Sequence, residues 1–193
     1  MTATQSSKLL SSMFEHCNAD SRLTVLHVGP ALPETVEFFS RYRCKLFFID
    51  VFSALPILEA EDGPTLEQQF SALLDLPEET RLDICLFWDV FNFLGSDAIA
   101  AFLKALKPYL HAASAAHVFA VYNLKAGQGG QLYGIKDLDA LNVRARTSIL
   151  PGYAPHPQSK LRNLLNCFNF DRSVLLSDSR LELLLSAKLS ATA

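Results

Sequence analysis

The chain has 193 residues, a length that suits one domain and lets roughly 70% of the unfolded surface be buried. Half of the residues are apolar and 19% are charged, and the mean hydropathy is +0.18, which excludes disordered, collagen-like and low-complexity chains. Seventeen basic against twenty acidic residues give a net charge of −3, without the basic stripe that nucleic-acid binding requires. The nearest approach to a basic patch, Arg144 and Arg146 with Lys160 and Arg162, reads as a solvated face.

Apolar stretches such as 84–88 and 98–103 fall far short of the ~20 residues of a membrane-spanning helix. The N-terminal MTATQSSKLLSSMFEH lacks the basic start, long apolar run and small-residue cleavage site of a secretory signal. A soluble cytoplasmic protein with no membrane partner is expected. Cys17, Cys44, Cys85 and Cys167 stand singly, and no C-x-x-C or H-x-x-x-H spacing occurs. Reduced structural thiols and no metal site follow from that pattern.

Residues 1–20 read as an accessory N-terminal helix around Leu9, Leu10, Met13 and Phe14, stopping at Asn18-Ala19-Asp20. Leu23-Thr24-Val25-Leu26-His27-Val28-Gly29 reads as a buried strand ending in a Gly-Pro turn. Pro33 suits the first turn of a helix reaching about Tyr42, with Val36, Phe39 and Tyr42 on its buried face. Lys45-Leu46-Phe47-Phe48-Ile49-Asp50-Val51 is a second strand, so this part is a parallel strand-helix-strand unit. Leu66, Phe70 and Leu73 mark a helix before Pro77, with a further short strand possible at 73–76. Residues 82–89 form another continuous apolar strand ending in an acid, and Ser96 caps a helix carrying Ile99, Phe102, Leu103 and Leu106.

Residues 117–124 read as a further strand, followed by a mobile loop at Gly127, Gly129 and Gly130 and an irregular stretch through Pro151, Pro155 and Pro157. Residues 159–168 offer a last amphipathic helix. The runs 173–177 and 181–189 flank the turn-like Ser177-Asp178-Ser179-Arg180 and form a hairpin. No repeat or linker divides residues 1–193. The expected fold is α/β, a mostly parallel Rossmann-like sheet flanked by helices and ending in an antiparallel hairpin. Ligands of such sheets lie outside the carboxyl ends of the strands, here at Gly29, Asp50 and Asp89.

From about residue 23 to 189 the chain resembles a class I S-adenosylmethionine-dependent methyltransferase. The residues that carry the resemblance are Val25-Leu26-His27-Val28-Gly29-Pro30-Ala31, Ile49-Asp50, the strand 82–89 with Val90-Phe91-Asn92-Phe93-Leu94, and the hairpin over 170–189. The resemblance implies a cofactor-binding turn at Gly29, Pro30 and Ala31, a ribose-binding acid at Asp50 with Val51 beside it, and Trp88 against the cofactor. It also implies an active site at Asp89, which would position or deprotonate the methyl acceptor, and at Asn92, which would orient it. Methyl transfer asks mainly for alignment, so no Ser/His/Asp or Cys/His set is needed.

The turn departs from the family pattern. Only Gly29 is glycine; Ala31 and Pro33 stand where small residues let backbone approach the cofactor. Pro33 removes an N–H from the helix start, and Glu34 puts a carboxylate where the ligand's own would lie. His27 stands where an acid often holds the ligand's ammonium. Each candidate also has a structural role open to it. Asp50, Asp89 and Asn92 suit turns that cap the next helix. Trp88 and His27 suit a core, and Asp75, Tyr122 and Tyr133 suit a surface. Two functions follow: a methyltransferase acting on a small molecule, or a catalytically inactive module of the same fold that binds a protein partner. A nicotinamide oxidoreductase is disfavoured, because G-x-G-x-x-G is absent.

Overall fold

The computed structural model describes residues 2–15, 22–125 and 130–188. Its regular elements begin with β1 (Thr2–Ser6), β2 (Arg22–Val28), α1 (Pro33–Phe39), β3 (Arg43–Ile49), α2 (Leu66–Leu74) and β4 (Leu82–Trp88). They continue with α3 (Ser96–Leu106), β5 (Leu110–Val121), β6 (Gln131–Asp137), β7 (Ala140–Ala145), α4 (Gln158–Leu164), β8 (Phe168–Leu175) and β9 (Arg180–Ala187). Asn18-Ala19-Asp20, Cys17, Gly127, Gly129 and Leu189, singled out in the sequence, lie outside the described residues.

Six strands form one sheet in the order β3-β2-β4-β5-β9-β8. β2 runs parallel to β3 and β4, and β4 to β5, whereas β9 is antiparallel to both β5 and β8. The expected parallel centre and terminal hairpin are both present, but "mostly parallel" needs correction. The six-stranded sheet is mixed, and a second sheet, β1-β7-β6, is wholly antiparallel. β2 is an interior strand, with β4 and β5 at the middle of the order.

Alternation along each strand sends side chains to opposite faces, and both faces are covered. Leu26, Val28, Cys85, Phe87, Val118, Leu183 and Leu185 point to one face, where they share a core with Phe70, Phe102 and Leu161 of α2, α3 and α4. Val25, Ile84, Leu86, Trp88, Phe119 and Leu184 point to the other and pack with Leu9, Phe14, Phe38, Phe39, Tyr133, Ile135 and Leu141. Burial on both faces is why these strands read as unbroken apolar runs.

Several expectations are corrected. In place of the N-terminal helix expected over 1–20, the described residues 2–15 hold strand β1, paired along its length with β7, and a 3-10 turn at Leu10–Phe14. α1 ends at Phe39 and buries Thr35, Phe38 and Phe39, leaving Val36 exposed. No strand lies at 73–76: Leu73 and Leu74 end α2, and Asp75 closes it in the left-handed conformation. Ser96 is the first residue of α3, with Gly95 in the cap position. Between Gly130 and the last helix, 131–145 is the hairpin β6-β7, and only the part through Pro151, Pro155 and Pro157 is irregular as expected.

Candidate functional site

The parallel strands bring three sequence candidates to one end of the sheet. Gly29 follows β2 with φ of +133°, a conformation that favours glycine, and its N–H donates to the Ile49 carbonyl at 2.7 Å. Asp50 follows β3, half-buried, and accepts from the Ser53 N–H at 3.3 Å and from the Ser53 hydroxyl, capping the 3-10 turn Val51–Ala54. Asp89 follows β4 and is buried. Pro30 lines the crevice beside Gly29, whereas Ala31 is exposed. Val51 is buried in the core with α2 and α3, and its neighbour Phe52 borders the crevice instead. Asn92 donates to the Phe119 carbonyl at 3.3 Å and sits in the turn after Asp89.

What fills the crevice comes from β6 and β7. Trp88, at a φ of 52°, lies stacked on Tyr133 with ring centroids 5.2 Å apart and planes 13° apart, and Phe119 stacks on Tyr133 at 5.0 Å. Trp88 Nε1 donates to His27 Nε2 at 3.0 Å, so that nitrogen is the acceptor of a neutral imidazole. Burial pushes the His27 pKa down to about 4. Arg146 lies 4.0 Å over the Phe52 ring. Among the described residues the remaining cavity, lined by His27, Gly29, Phe52, Trp88, Tyr133 and Arg146 among others, has a volume of about 10 Å³, the space of about one water molecule.

The hairpin also covers the start of α1. Thr35 Oγ1 accepts from the Ile135 N–H at 3.0 Å, and Arg144 pairs with Glu34. A Cβ added at Gly134 would collide with the Glu34 side chain, so β6 and α1 touch as closely as glycine allows. Burial works to raise the Glu34 pKa, but the Arg144 hydrogen bond and charge bring it below the usual carboxylate range.

A buried polar network ties the site to the rest of the fold. Asp89 Oδ2 accepts from the Gln131 N–H at 3.3 Å and the Tyr133 hydroxyl at 3.4 Å. Burial raises its pKa to about 6. Arg180 Nη1 donates to the Tyr133 hydroxyl at 2.8 Å, and Nη2 donates to Gln5 of β1. On the same face, Glu182 of β9 accepts from the Lys8 N–H at 2.8 Å, the Leu9 N–H at 3.1 Å and the Ser7 hydroxyl, and lies 2.9 Å from His117 Nε2. Burial opposes its charge, yet His117 and these donors hold its pKa at about 2. Arg180 and Glu182 are site residues that sequence reasoning missed, and two of its readings are corrected: Tyr133, given a surface role, is buried, and Arg146, read as part of a solvated face, is half-buried over Phe52. The one available signal was Glu182, a lone acid inside the apolar Leu181-Glu182-Leu183.

S-adenosylmethionine, the cofactor of the family the sequence resembles, does not fit this arrangement. The strand-end crevice is occupied by Tyr133 and Trp88, and the α1 start is bonded to β6. Among the described residues no cluster of His, Cys, Asp and Glu suited to a metal occurs, and no helix is long and apolar enough to cross a membrane.

No family model matches the chain, and no curated protein matches it by sequence. Solved structures do. The 1,6-didemethyltoxoflavin-N1-methyltransferase of Burkholderia thailandensis, solved with 1,6-didemethyltoxoflavin and S-adenosylhomocysteine bound, matches with a TM-score of 0.52 at 14% identity. That match covers 93% of this chain and 76% of the other. A S-adenosylmethionine-dependent methyltransferase of Clostridium acetobutylicum matches at 0.51 and 13% identity, covering 92% and 90%. A pericyclic reaction enzyme matches at 0.54 and 13% identity, covering 92% of this chain but 46% of that one. Such a range of chemistries on one fold means that the fold alone does not name the reaction. The chain has the Rossmann-like fold of class I S-adenosylmethionine-dependent methyltransferases.

Proposed function

We propose that this chain is a methyltransferase-fold protein that works as a binding or scaffold module rather than as a catalyst. The observation that supports this reading best is the crevice filled from within, with Tyr133 stacked on Trp88 where a cofactor would lie. To admit a ligand, the hairpin would have to withdraw Tyr133, Ile135 and Leu141, all buried. At about 1.5–3 kcal/mol for each side chain, exposing them costs roughly 5–9 kcal/mol. The open state would then be populated at roughly 10⁻⁴–10⁻⁷, and any ligand's apparent affinity falls by that factor.

A second reading, a methyltransferase acting on a small molecule after the hairpin retracts, has its own support. His27 Nδ1 and Arg146 Nε, on residues that line the small cavity, and Asp89 Oδ1, next in the chain to its lining residue Trp88, are buried with no hydrogen-bond partner, as residues awaiting a polar ligand would be. In that reading Asp89 and Asn92 face the acceptor, and Gly29, Pro30, Ala31, Asp50, Val51 and Trp88 surround the cofactor.

Thermal unfolding with S-adenosylmethionine separates the two, once mass spectrometry of the denatured protein has shown that none co-purifies. A ligand at about 100 times its dissociation constant stabilises the native state by about 2.7 kcal/mol, or roughly 5–10 °C for a chain of this size. The scaffold reading expects no shift at about 5 mM cofactor; a shift of about 5 °C or more at 100 μM, implying a dissociation constant of about 1 μM, would overturn it.

A further inference from the structure

β3 is an edge strand of the six-stranded sheet, and one of its two sides faces no other strand. The Ile49 carbonyl bonds inward to Gly29. In a parallel ladder alternate residues therefore bond inward, and the N–H and C=O groups of Cys44, Leu46 and Phe48 point out of the sheet. No backbone hydrogen bond from another described segment reaches them. An open row of this kind is a template for an added strand.

The side chains along that edge specify what could be added. Arg43 and Lys45 lie on one face, and Arg22 of β2 is directly opposite Arg43 in the register. All three are exposed, and none has an acidic partner among the described residues. They line a surface concavity of about 590 Å³ together with Thr24, Tyr42 and Cys44. On the opposite face of β3, Leu46 is only partly covered. This basic corner lies at the amino ends of β2 and β3, at the far end of the sheet from the filled crevice, in a chain whose net charge is −3.

We infer that the free edge of β3 is a docking site for an extended segment of a partner protein in which acidic and apolar residues alternate. The partner's backbone pairs with Cys44, Leu46 and Phe48. Its carboxylates face Arg22, Arg43 and Lys45, and its apolar side chains continue the surface beyond Leu46. A second copy of β3 is a poorer occupant, because antiparallel self-pairing about Leu46 brings the two Lys45 ammonium groups diagonally together on one face. The inference rests on the scaffold reading in that it names the kind of partner such a module holds.

The test uses the full chain and a fluorescein-labelled octapeptide of alternating Glu and Val, followed by anisotropy. Saturable binding is expected. It should weaken at least about tenfold in the Arg43→Glu/Lys45→Glu double variant and in salt of about 0.5 M. It should also be abolished when alternate peptide nitrogens are methylated, which removes the donors of an added strand. The variant's melting temperature must match that of the unmodified chain, as exposed substitutions allow. Equal binding of the matching Lys-Val peptide, equal binding of a single-stranded oligonucleotide of the same charge, or dimerisation of the chain without peptide uptake would each overturn the inference. Failure here with no cofactor-induced thermal shift removes this surface and leaves the scaffold reading standing. Peptide binding together with such a shift removes the scaffold reading and keeps the surface.

Discussion

Asp89 and His27 are held out of water within the same filled crevice, and burial moves their protonation in opposite senses. The Asp89 pKa is raised to about 6, so the folded state holds its proton more tightly than the unfolded chain does. Its unfavourable contribution is absent below the unfolded pKa of about 4 and grows to about 3 kcal/mol as pH rises through about 6. His27, lowered to about 4, costs stability in the other direction, as pH falls from about 6.5 to about 4. Asp89→Asn removes the first effect only. The variant should be about 1–3 kcal/mol more stable than the unmodified chain at about pH 7.5, and the gap should close by about pH 4. Urea unfolding of both proteins across that range checks it; a gap independent of pH would show that Asp89 is not held in this environment. Asp89 was legible from its place at the end of an apolar run. The burial of Tyr133, which read as a surface residue, and the role of Arg180 were not, because their partners are 44 and 47 residues away in the chain and no local pattern marks them.

At the scale of elements, the hairpin β6-β7 decides what the sheet's carboxyl end can do. It was the least legible part of the fold. The runs Gln131-Leu132-Tyr133-Gly134-Ile135 and Leu141-Asn142-Val143 are short, the first is broken by Gly134 and follows the glycine-rich 127–130, and neither is long enough for its pattern to stand out as a strand. β1, with the sequence TATQS, has no apolar face at all, and its strand character comes from pairing with β7. By contrast β2, β3, β4 and the β8-β9 hairpin announce themselves through β-rich apolar runs and turn residues. The hairpin holds α1 through the Ile135–Thr35 hydrogen bond and the Arg144–Glu34 ion pair, and the first can be removed without changing a charge. Thr35→Val keeps the shape but leaves the Ile135 N–H without an acceptor. Urea unfolding should find it about 1–3 kcal/mol less stable; an unchanged midpoint would mean that the hairpin does not rest on α1 there.

For the whole molecule, the two faces of one sheet carry different tasks. The face under α2, α3 and α4 is an apolar core with no buried network of charges described within it. The other carries His27, His117, Glu182 and Asp89, roofed by the N-terminal segment and the three-stranded sheet. The parallel order and the strand-end position of Gly29, Asp50 and Asp89 could be read from the chain. That its own hairpin would fill the space above them could not, since this depends on tertiary packing between segments about 100 residues apart.

Native-state hydrogen exchange at the Ile135 amide tests that filling most directly. The Ile135 N–H is buried and bonded to Thr35, so if the hairpin stays in the crevice its protection reports the cost of opening. A roughly 5–9 kcal/mol cost predicts protection of roughly 10⁴–10⁷-fold, unchanged by S-adenosylmethionine at about 5 mM. Exchange as fast as that of an exposed loop amide, or protection that changes at least about tenfold when the cofactor is added, would contradict the account of a crevice closed by the chain itself.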